Sequence, residues 1–405
     1  MLKIIIKLIL FLFLKYFFFS NKIEIKIQNR LIRFIKYNKR VKKNNGKEYN
    51  IKALKDYIDL IQSKKIKPIS FKEMINKTKI SFIAPVYNKK KYLRSLILSI
   101  QHQFLKEYEI IFIDDCSTDN SIKTINRFSK IDTRIKLIQN KKNKGTLYSR
   151  AQGALKSIGE YVIFIDSDDM ILQEGLNNSY NYIKKKDLSL VQFNSIFRLN
   201  NSLILSKRYY KYENVIKQPI LSYIFYFNEK TKRGDEQNTA LWDKLIKKEI
   251  ALKAVNFIGK DFYNENIKIE NDVILLFSIF QVADSYQYIN ETGYYYIRTN
   301  NDSITNTWNL PQISNSIIHG VFANIKFLYN KTKNSTLDKA FCVFKLLQLY
   351  KRYTICFMNI DSEFLFIKNV LNLLLTSRYI SNNDKLIISN IYSSLSLFFE
   401  AKKIK

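Results

Sequence analysis

Asp166-Ser167-Asp168-Asp169 places three carboxylates within four residues, directly after the apolar run 161–165 (YVIFI). Carboxylates that close repel one another unless a cation lies among them. A hard divalent ion with oxygen ligands and open positions for phosphate oxygens meets that demand. The competing reading is a solvated acidic turn capping the next helix, for which Asp and Ser are also favoured. A second acidic pair, Asp114-Asp115, follows the run 109–113 (EIIFI) and leads into Cys116-Ser117-Thr118-Asp119. Capping accounts for Ser117 or Thr118 but does not require two carboxylates ahead of it. A carboxylate there can accept a hydrogen bond from the N–H of a pyrimidine base.

Two further segments belong with these. Pro85-Val86-Tyr87-Asn88 offers an aromatic face at Tyr87 for a base or ribose. Asn143-Lys144-Gly145 precedes a helical stretch carrying Arg150. An Arg reaching inward from there can counter a diphosphate and hold the carboxylates in place, whereas an Arg on a solvated helix face does neither.

The elements that must position these residues follow from the hydrophobic pattern. From residue 78 the runs 80–87, 109–113, 135–138 and 161–165 are apolar and rich in Ile, Val, Phe or Tyr. They lack the polar alternation of a half-exposed strand, as expected of parallel strands covered on both faces. The intervening stretches 89–103, 119–130 and 146–157 are long enough for crossover helices. The pattern predicts an α/β fold, a doubly wound and mainly parallel sheet with helices on both faces. Ligands in such sheets bind beyond the carboxyl ends of the strands. Pro85–Asn88, Asp114-Asp115 and Asp166–Asp169 all fall there. Further on, the pattern predicts helices around Trp242–Val255 and 270–283, and strands at 285–289 and 294–297 flanking the turn Asn290–Gly293.

Four segments are expected: 1–20, a hydrophobic membrane anchor or signal segment; 21–77, a basic helical stem; 78–305, the α/β domain; and 306–405, a helical extension. Residues 4–19 are apolar apart from Lys7 and Lys15, which lie towards the ends of the run where their stems can snorkel. No small-residue cleavage pattern follows, which favours an anchor over a signal peptide or an interfacial helix. Membrane association, of endomembrane type, is the expectation. Nine Lys or Arg between residues 22 and 43 follow the segment, a bias towards a cytosolic domain that carries little weight in so basic a chain.

Lys and Arg number 67 against 35 Asp and Glu, a net charge of +32. Nucleic acid, an acidic membrane surface, anionic substrates or compositional drift would each accommodate that excess. The basic residues are spread along the chain and no finger, helix-turn-helix or single-strand stacking motif occurs, so specific nucleic-acid binding is not expected. Cys116, Cys342 and Cys356 form neither a metal spacing nor a disulfide framework.

In order and spacing, "APVYN" (84–88), "DDCSTDNS" (114–121), "NKGTLYSRAQG" (143–153) and "GEYVIFIDSDD" (159–169) resemble the family 2 glycosyltransferases of GT-A fold. The resemblance covers roughly residues 78 to 300. It implies a nucleoside-diphosphate sugar donor, a UDP-sugar first among them, with Asp115 near the base and Arg150 lining the donor pocket. It also implies a metal–diphosphate motif at Asp166 and Asp168, holding Mn²⁺ or Mg²⁺. Pro85, Tyr87, Asn88, Asp114, Asn143, Gly145 and Asp169 complete the implied donor site, Asp169 from behind. Family members carry a Glu-Asp pair whose Asp removes the acceptor hydroxyl proton. Here Ile269-Glu270-Asn271-Asp272-Val273 has Asn before the Asp, so the base role falls to Asp272 with Glu270 as fallback. An acidic first turn complementing a helix dipole is the other reading of that pair.

The segment 241–249 (LWDKLIKKE) is similar to one found in non-processive members, and Trp242 there either stacks on an acceptor sugar or lies in the core. The Gln-x-x-Arg-Trp motif of processive synthases is absent. The expectation is an inverting, metal-dependent transfer of single sugars to a saccharide, lipid or protein hydroxyl. A degenerate nucleotide-sugar-binding protein and a nucleotidyltransferase are the rival functions.

Overall fold

The computed structural model describes residues 51–63, 66–72, 77–199, 202–206, 215–217, 240–260 and 271–297, with single positions beyond, such as Phe327. The segment 1–50, Glu270 and nearly all of 306–405 lie outside the described residues, and with them the expected anchor, most of the stem and the C-terminal extension. Among the described residues no helix is long and apolar enough to cross a membrane. The chain divides into Met1–Asp59 and Leu60–Lys405, and the site lies in the second unit.

After helix α1 (Ile51–Gln62) the order is β1 (Ile80–Val86), α2 (Lys90–Gln101), β2 (Tyr108–Asp114), α3 (Ser121–Ser129), β3 (Ile135–Gln139), α4 (Thr146–Lys156) and β4 (Tyr161–Phe164). The chain continues through β5 (Met170–Ile171), α5 (Gln173–Lys186), β6 (Leu190–Leu199), β7 (Ser202–Ser206), β8 (Ile216–Lys217), β9 (Lys244–Lys247), α6 (Lys248–Ile258), α7 (Asn271–Val282) and β10 (Ser285–Tyr296). The strands join one sheet in the order β3-β2-β1-β4-β9-β6-β10-β5, with β7 on β6 and β8 on β10. β3, β2, β1 and β4 are parallel, as their unbroken apolar runs require. Their register pairs Val86 with Asp114 and Asp114 with Gln139, so three strands end level at one edge.

The two faces are covered differently. Ile83, Ile111, Ile113 and Phe164 share an apolar cluster with α4, α6 and α7. On the other face, Tyr180 of α5 packs edge-on against Tyr161 of β4. Small residues set the height of α4 above the sheet: a Cβ on Gly153 would lie 2.3 Å from Ile83 Cγ2. Ala151 and Ala154 beside it are fully buried. That close approach brings Arg150, on the same helix, to the strand ends.

Two expectations are corrected. The segment Trp242–Val255 is not one helix: Lys244–Lys247 form β9, antiparallel between β4 and β6, and α6 begins only at Lys248. The gap between two parallel strands captures this short segment and buries Leu245 and Ile246, overriding helix propensity. The turn expected at Asn290–Gly293 is likewise replaced, by one continuous strand, Ser285–Tyr296. β10 runs on beside β6 in one direction, and the turn-like residues are absorbed as register shifts between Tyr288, Thr292 and Tyr294. Gly175 and Gly293 let α5 close onto this bulge, where a Cβ on Gly175 would meet the Thr292 carbonyl oxygen at 2.0 Å.

Candidate active site

The loops after β1 and β2 are clasped together. Asn88, at φ 54, donates its backbone N–H to Ser117 Oγ at 3.0 Å. Its side-chain oxygen accepts from Thr118 N at 2.8 Å and Asp119 N at 3.3 Å. Lys89 N–H donates to Ser121 Oγ, and Lys90 N–H to Asp119 Oδ2. Asn tolerates the left-handed conformation and satisfies neighbouring amides, which is what this position needs. Pro85 is half-buried below, and Tyr87 is left 50% exposed at the mouth.

Asp114 and Asp115 divide the work at the tip of β2. Asp114 accepts from Ser117 N through Oδ2, while its buried Oδ1 has no partner. The Asp115 carboxylate accepts from Asn140 Nδ2, Lys144 N and Gly145 N, each at 2.8 Å. Asn143 donates to the Asp115 carbonyl at 3.1 Å. Asp115 therefore folds the 140–145 loop against β2, with Gly145 taking φ 85 at the start of α4. An ionised carboxylate accepts about four hydrogen bonds, so Asp115 keeps capacity for one more donor.

The centre of the site is Arg150. Its side chain is 4% exposed and forks between Asp166 Oδ1 at 2.9 Å, through Nη2, and the Asp272 carboxylate, through Nη1. Nη1 also donates to Asn271 Oδ1 at 2.6 Å. Burial disfavours the guanidinium charge, but Asp272 and Asp166 outweigh it and raise its pKa. Asp166, two residues beyond β4, and Asp272, in the first turn of α7, are thus brought to one cation although 106 residues separate them in sequence. Burial pushes the Asp166 carboxyl up to about 6; Arg150 pulls against this, and Asp272 and Asp168 add to it.

Asp168 and Asp169 face opposite ways. Asp168 Oδ2 meets Lys89 Nζ at 2.7 Å, with side-chain exposures of 17% and 19%. Asp169 is buried, accepting from Tyr294 O–H at 2.7 Å and Ile297 N–H at 2.8 Å. Tyr294 in turn accepts from Asp166 N–H at 3.2 Å. Burial, then Asp168 and Asp166, raise the Asp169 carboxyl well above the carboxylate range. Asp169 and Tyr294 together pin the acidic loop to β10, so Asp169 supports the site from behind.

Whether these residues fit a divalent ion turns on their donor set. Asp166 and Asp168 offer oxygen alone, suited to Mg²⁺ or Mn²⁺. Among the described residues no three His, Cys, Asp or Glu side chains assemble as a cage. Mg²⁺ is commonly held by one or two carboxylates, with phosphate oxygens and water completing its shell. The pair fits a cation that arrives with a diphosphate.

Trp242, just before β9, is half-buried and stacks on Tyr294 and Tyr296, with ring centroids 4.5 and 5.7 Å apart. The structure thus gathers every described candidate around the strand ends. Glu270 lies outside the described residues. Sequence reasoning missed Lys89, Asn140 and Tyr294. Lys89 and Asn140 carry no signal in a chain saturated with Lys and Asn, and Tyr294 sits in a run of three tyrosines that reads as plain strand.

Residues 81–243 match the model of the family described as glycosyl transferase family 2. An uncharacterized glycosyltransferase of Haemophilus influenzae is 39% identical over 123 residues, 30% of this chain and 49% of the relative. The chain thus spans about half the length of that protein. The cholesterol galactosyltransferase of Borreliella burgdorferi is 29% identical over 291 residues, 70% of this chain and 75% of that protein. Among solved structures, Staphylococcus aureus TarS in complex with UDP-GlcNAc superposes with TM-score 0.53 at 17% identity, covering 76% of this chain and 83% of that one. At that identity the likeness speaks for the fold.

Proposed function

We propose that this chain, which belongs to glycosyl transferase family 2 through residues 81–243, moves a sugar from a nucleoside-diphosphate donor to an acceptor hydroxyl with inversion. The observation that carries this reading is the Arg150 fork. One buried guanidinium joins Asp166, from the acidic strand-end loop, to Asp272, at the start of α7. A displacement at the anomeric carbon needs negative charge handled on the leaving side and a base on the opposite side. Arg150 sets two carboxylates at the spacing of a single side chain, one for each task.

The donor lies across the strand ends, with its base against Tyr87 and the Asp115 loop and its diphosphate towards Asp166 and Asp168. A UDP-sugar is the donor class favoured by the fold's likeness to TarS, whose structure contains UDP-GlcNAc. Asp166 and Asp168 are the residues that would hold Mn²⁺ or Mg²⁺, and the ion supplies charge neutralisation at the departing diphosphate. Asp272 takes the proton from the acceptor hydroxyl, its carboxylate oriented by Arg150. Trp242, beside Tyr294, borders the acceptor side. The acceptor is a saccharide, lipid or protein hydroxyl, and the apolar segment 4–19 holds the enzyme at a membrane.

Asp168→Ala tests the reading. Metal-dependent donor hydrolysis and transfer should both be lost while the melting temperature stays near that of the parent. Undiminished turnover in that variant would refute the assignment.

A further inference from the structure

We infer that Lys89 is a tethered cation that guards Asp168 in the donor-free enzyme and moves to the donor diphosphate when Asp168 takes up the divalent ion. The inference rests on the metal and donor assignments proposed above and adds a residue that couples them. Lys89 Nζ lies 2.7 Å from Asp168 Oδ2, and both side chains are largely shielded from water. The two acidic ligands are therefore held in unlike ways. Asp166 pairs with Arg150, which is buried and fixed by Asp272 and Asn271 as well. Asp168 pairs with an ammonium on a flexible four-carbon stem.

The root of Lys89 is fixed by backbone bonds, while its ammonium meets Asp168 and lies 5.8 Å from the Tyr92 ring centroid. Its backbone N–H is held by Ser121 Oγ, and the preceding Asn88 is clasped to Ser117 and Thr118. The residue caps α2 from this anchored position, so its head group can swing while its backbone stays. Mg²⁺ binds a carboxylate oxygen at about 2.0–2.1 Å. An ammonium 2.7 Å from the same oxygen would then lie about 4 Å from the ion, cation against cation. The two repel one another and compete for the Asp168 carboxylate. Metal alone weakens the hold of Asp168 on Lys89, whereas metal with a diphosphate gives the ammonium a new anionic partner. Lys89 therefore makes metal and donor binding mutually reinforcing, and such coupling is reciprocal.

The test is Mn²⁺ binding by the full-length protein, followed as loss of the free-ion paramagnetic resonance signal, with and without UDP. Without UDP, Lys89→Gln should bind Mn²⁺ roughly tenfold more tightly than the parent, because one competing ion pair is gone. Lys89→Arg, which keeps the charge, should stay close to the parent. A gain in affinity cannot arise from failure to fold. UDP should strengthen Mn²⁺ binding to the parent far more than to Lys89→Gln. Equal Mn²⁺ affinities without UDP, or equal enhancement by UDP, overturn the role of Lys89. If the parent retains Mn²⁺ with UDP but Lys89→Gln matches it both without UDP and in its enhancement by UDP, Lys89 alone is refuted. If the parent retains none even with UDP, the metal assignment falls and takes this inference with it.

Discussion

Replacing Arg150 by Met keeps most of the side-chain length and removes the charge, so it isolates the electrostatic role of the fork. Asp166 and Asp272 would then face one another without their shared cation. Removing one partner of a fully buried ion pair costs about 3–5 kcal/mol. Here both carboxylates are about 30% exposed and water recovers part of that, which leaves about 2–3 kcal/mol. The deficit should depend on pH. Burial already pushes the Asp166 carboxyl up to about 6 with Arg150 present, and it rises further once that cation is gone. A carboxyl raised in the folded state stabilises the fold at low pH and loses that contribution as pH rises through the folded value. The variant should thus be close to the parent at pH 5 and show its full deficit at pH 8. Urea-unfolding midpoints at the two pH values measure this, given unchanged slopes. Arg150→Lys should recover only part, because an ammonium lacks the rigid fork that reaches Asp166 and Asp272 at once. A deficit equal at pH 5 and pH 8, or one below about 0.5 kcal/mol at pH 8, would refute the fork as the electrostatic centre.

Three other outcomes are expected. Asp115→Asn turns amide hydrogens towards at least one of the three N–H donors now bound there, and should cost about 2–4 kcal/mol and weaken UDP binding; unchanged UDP affinity measured by calorimetry would count against its hold on the 140–145 loop. Because Asp166 must be ionised to hold a divalent ion, Mn²⁺–UDP affinity should fall below pH about 6 and level off above about 7, and a flat profile from pH 5 to 8 would contradict this. Trp242→Ala should raise the acceptor KM several-fold with UDP affinity preserved; an equal loss of UDP affinity would assign the ring to bracing Tyr294 instead.

How much of this was legible in the sequence differs between the two halves of the domain. Up to β4 the predicted runs match the observed strands almost residue for residue, since parallel central strands are marked by unbroken apolar composition and crossover helices by length. Beyond β5 the pattern marks α7 within a residue at each end but misleads at two places. Lys244-Leu245-Ile246-Lys247 carries no strand signature of its own and becomes β9 because β4 and β6 leave a place for it. Asn290-Glu291-Thr292-Gly293 has turn composition, yet it is held as a bulge by the neighbouring strand and by α5. The candidate site was legible wherever acids followed a buried strand. Its partners were not: which cation meets which carboxylate depends on long-range packing, and Lys89 finds Asp168 across 79 residues.

Asn271 shows how the departure from the family pattern fits this chain. A Glu there would place a further carboxylate on the same guanidinium that serves Asp166 and Asp272. Asn271 is 6% exposed and still supplies an oxygen to Arg150 Nη1, so the hydrogen bond is kept without the charge. Asp166, Asp168 and Asp272 then stand against Arg150 and Lys89, three carboxylates against two cations. An extra buried carboxylate would raise the Asp166 carboxyl further above about 6 and hinder the ionisation that a divalent ion requires. Asn at position 271 lets Arg150 hold Asp272 and the acidic loop together at a charge balance that the proposed donor and its ion would complete.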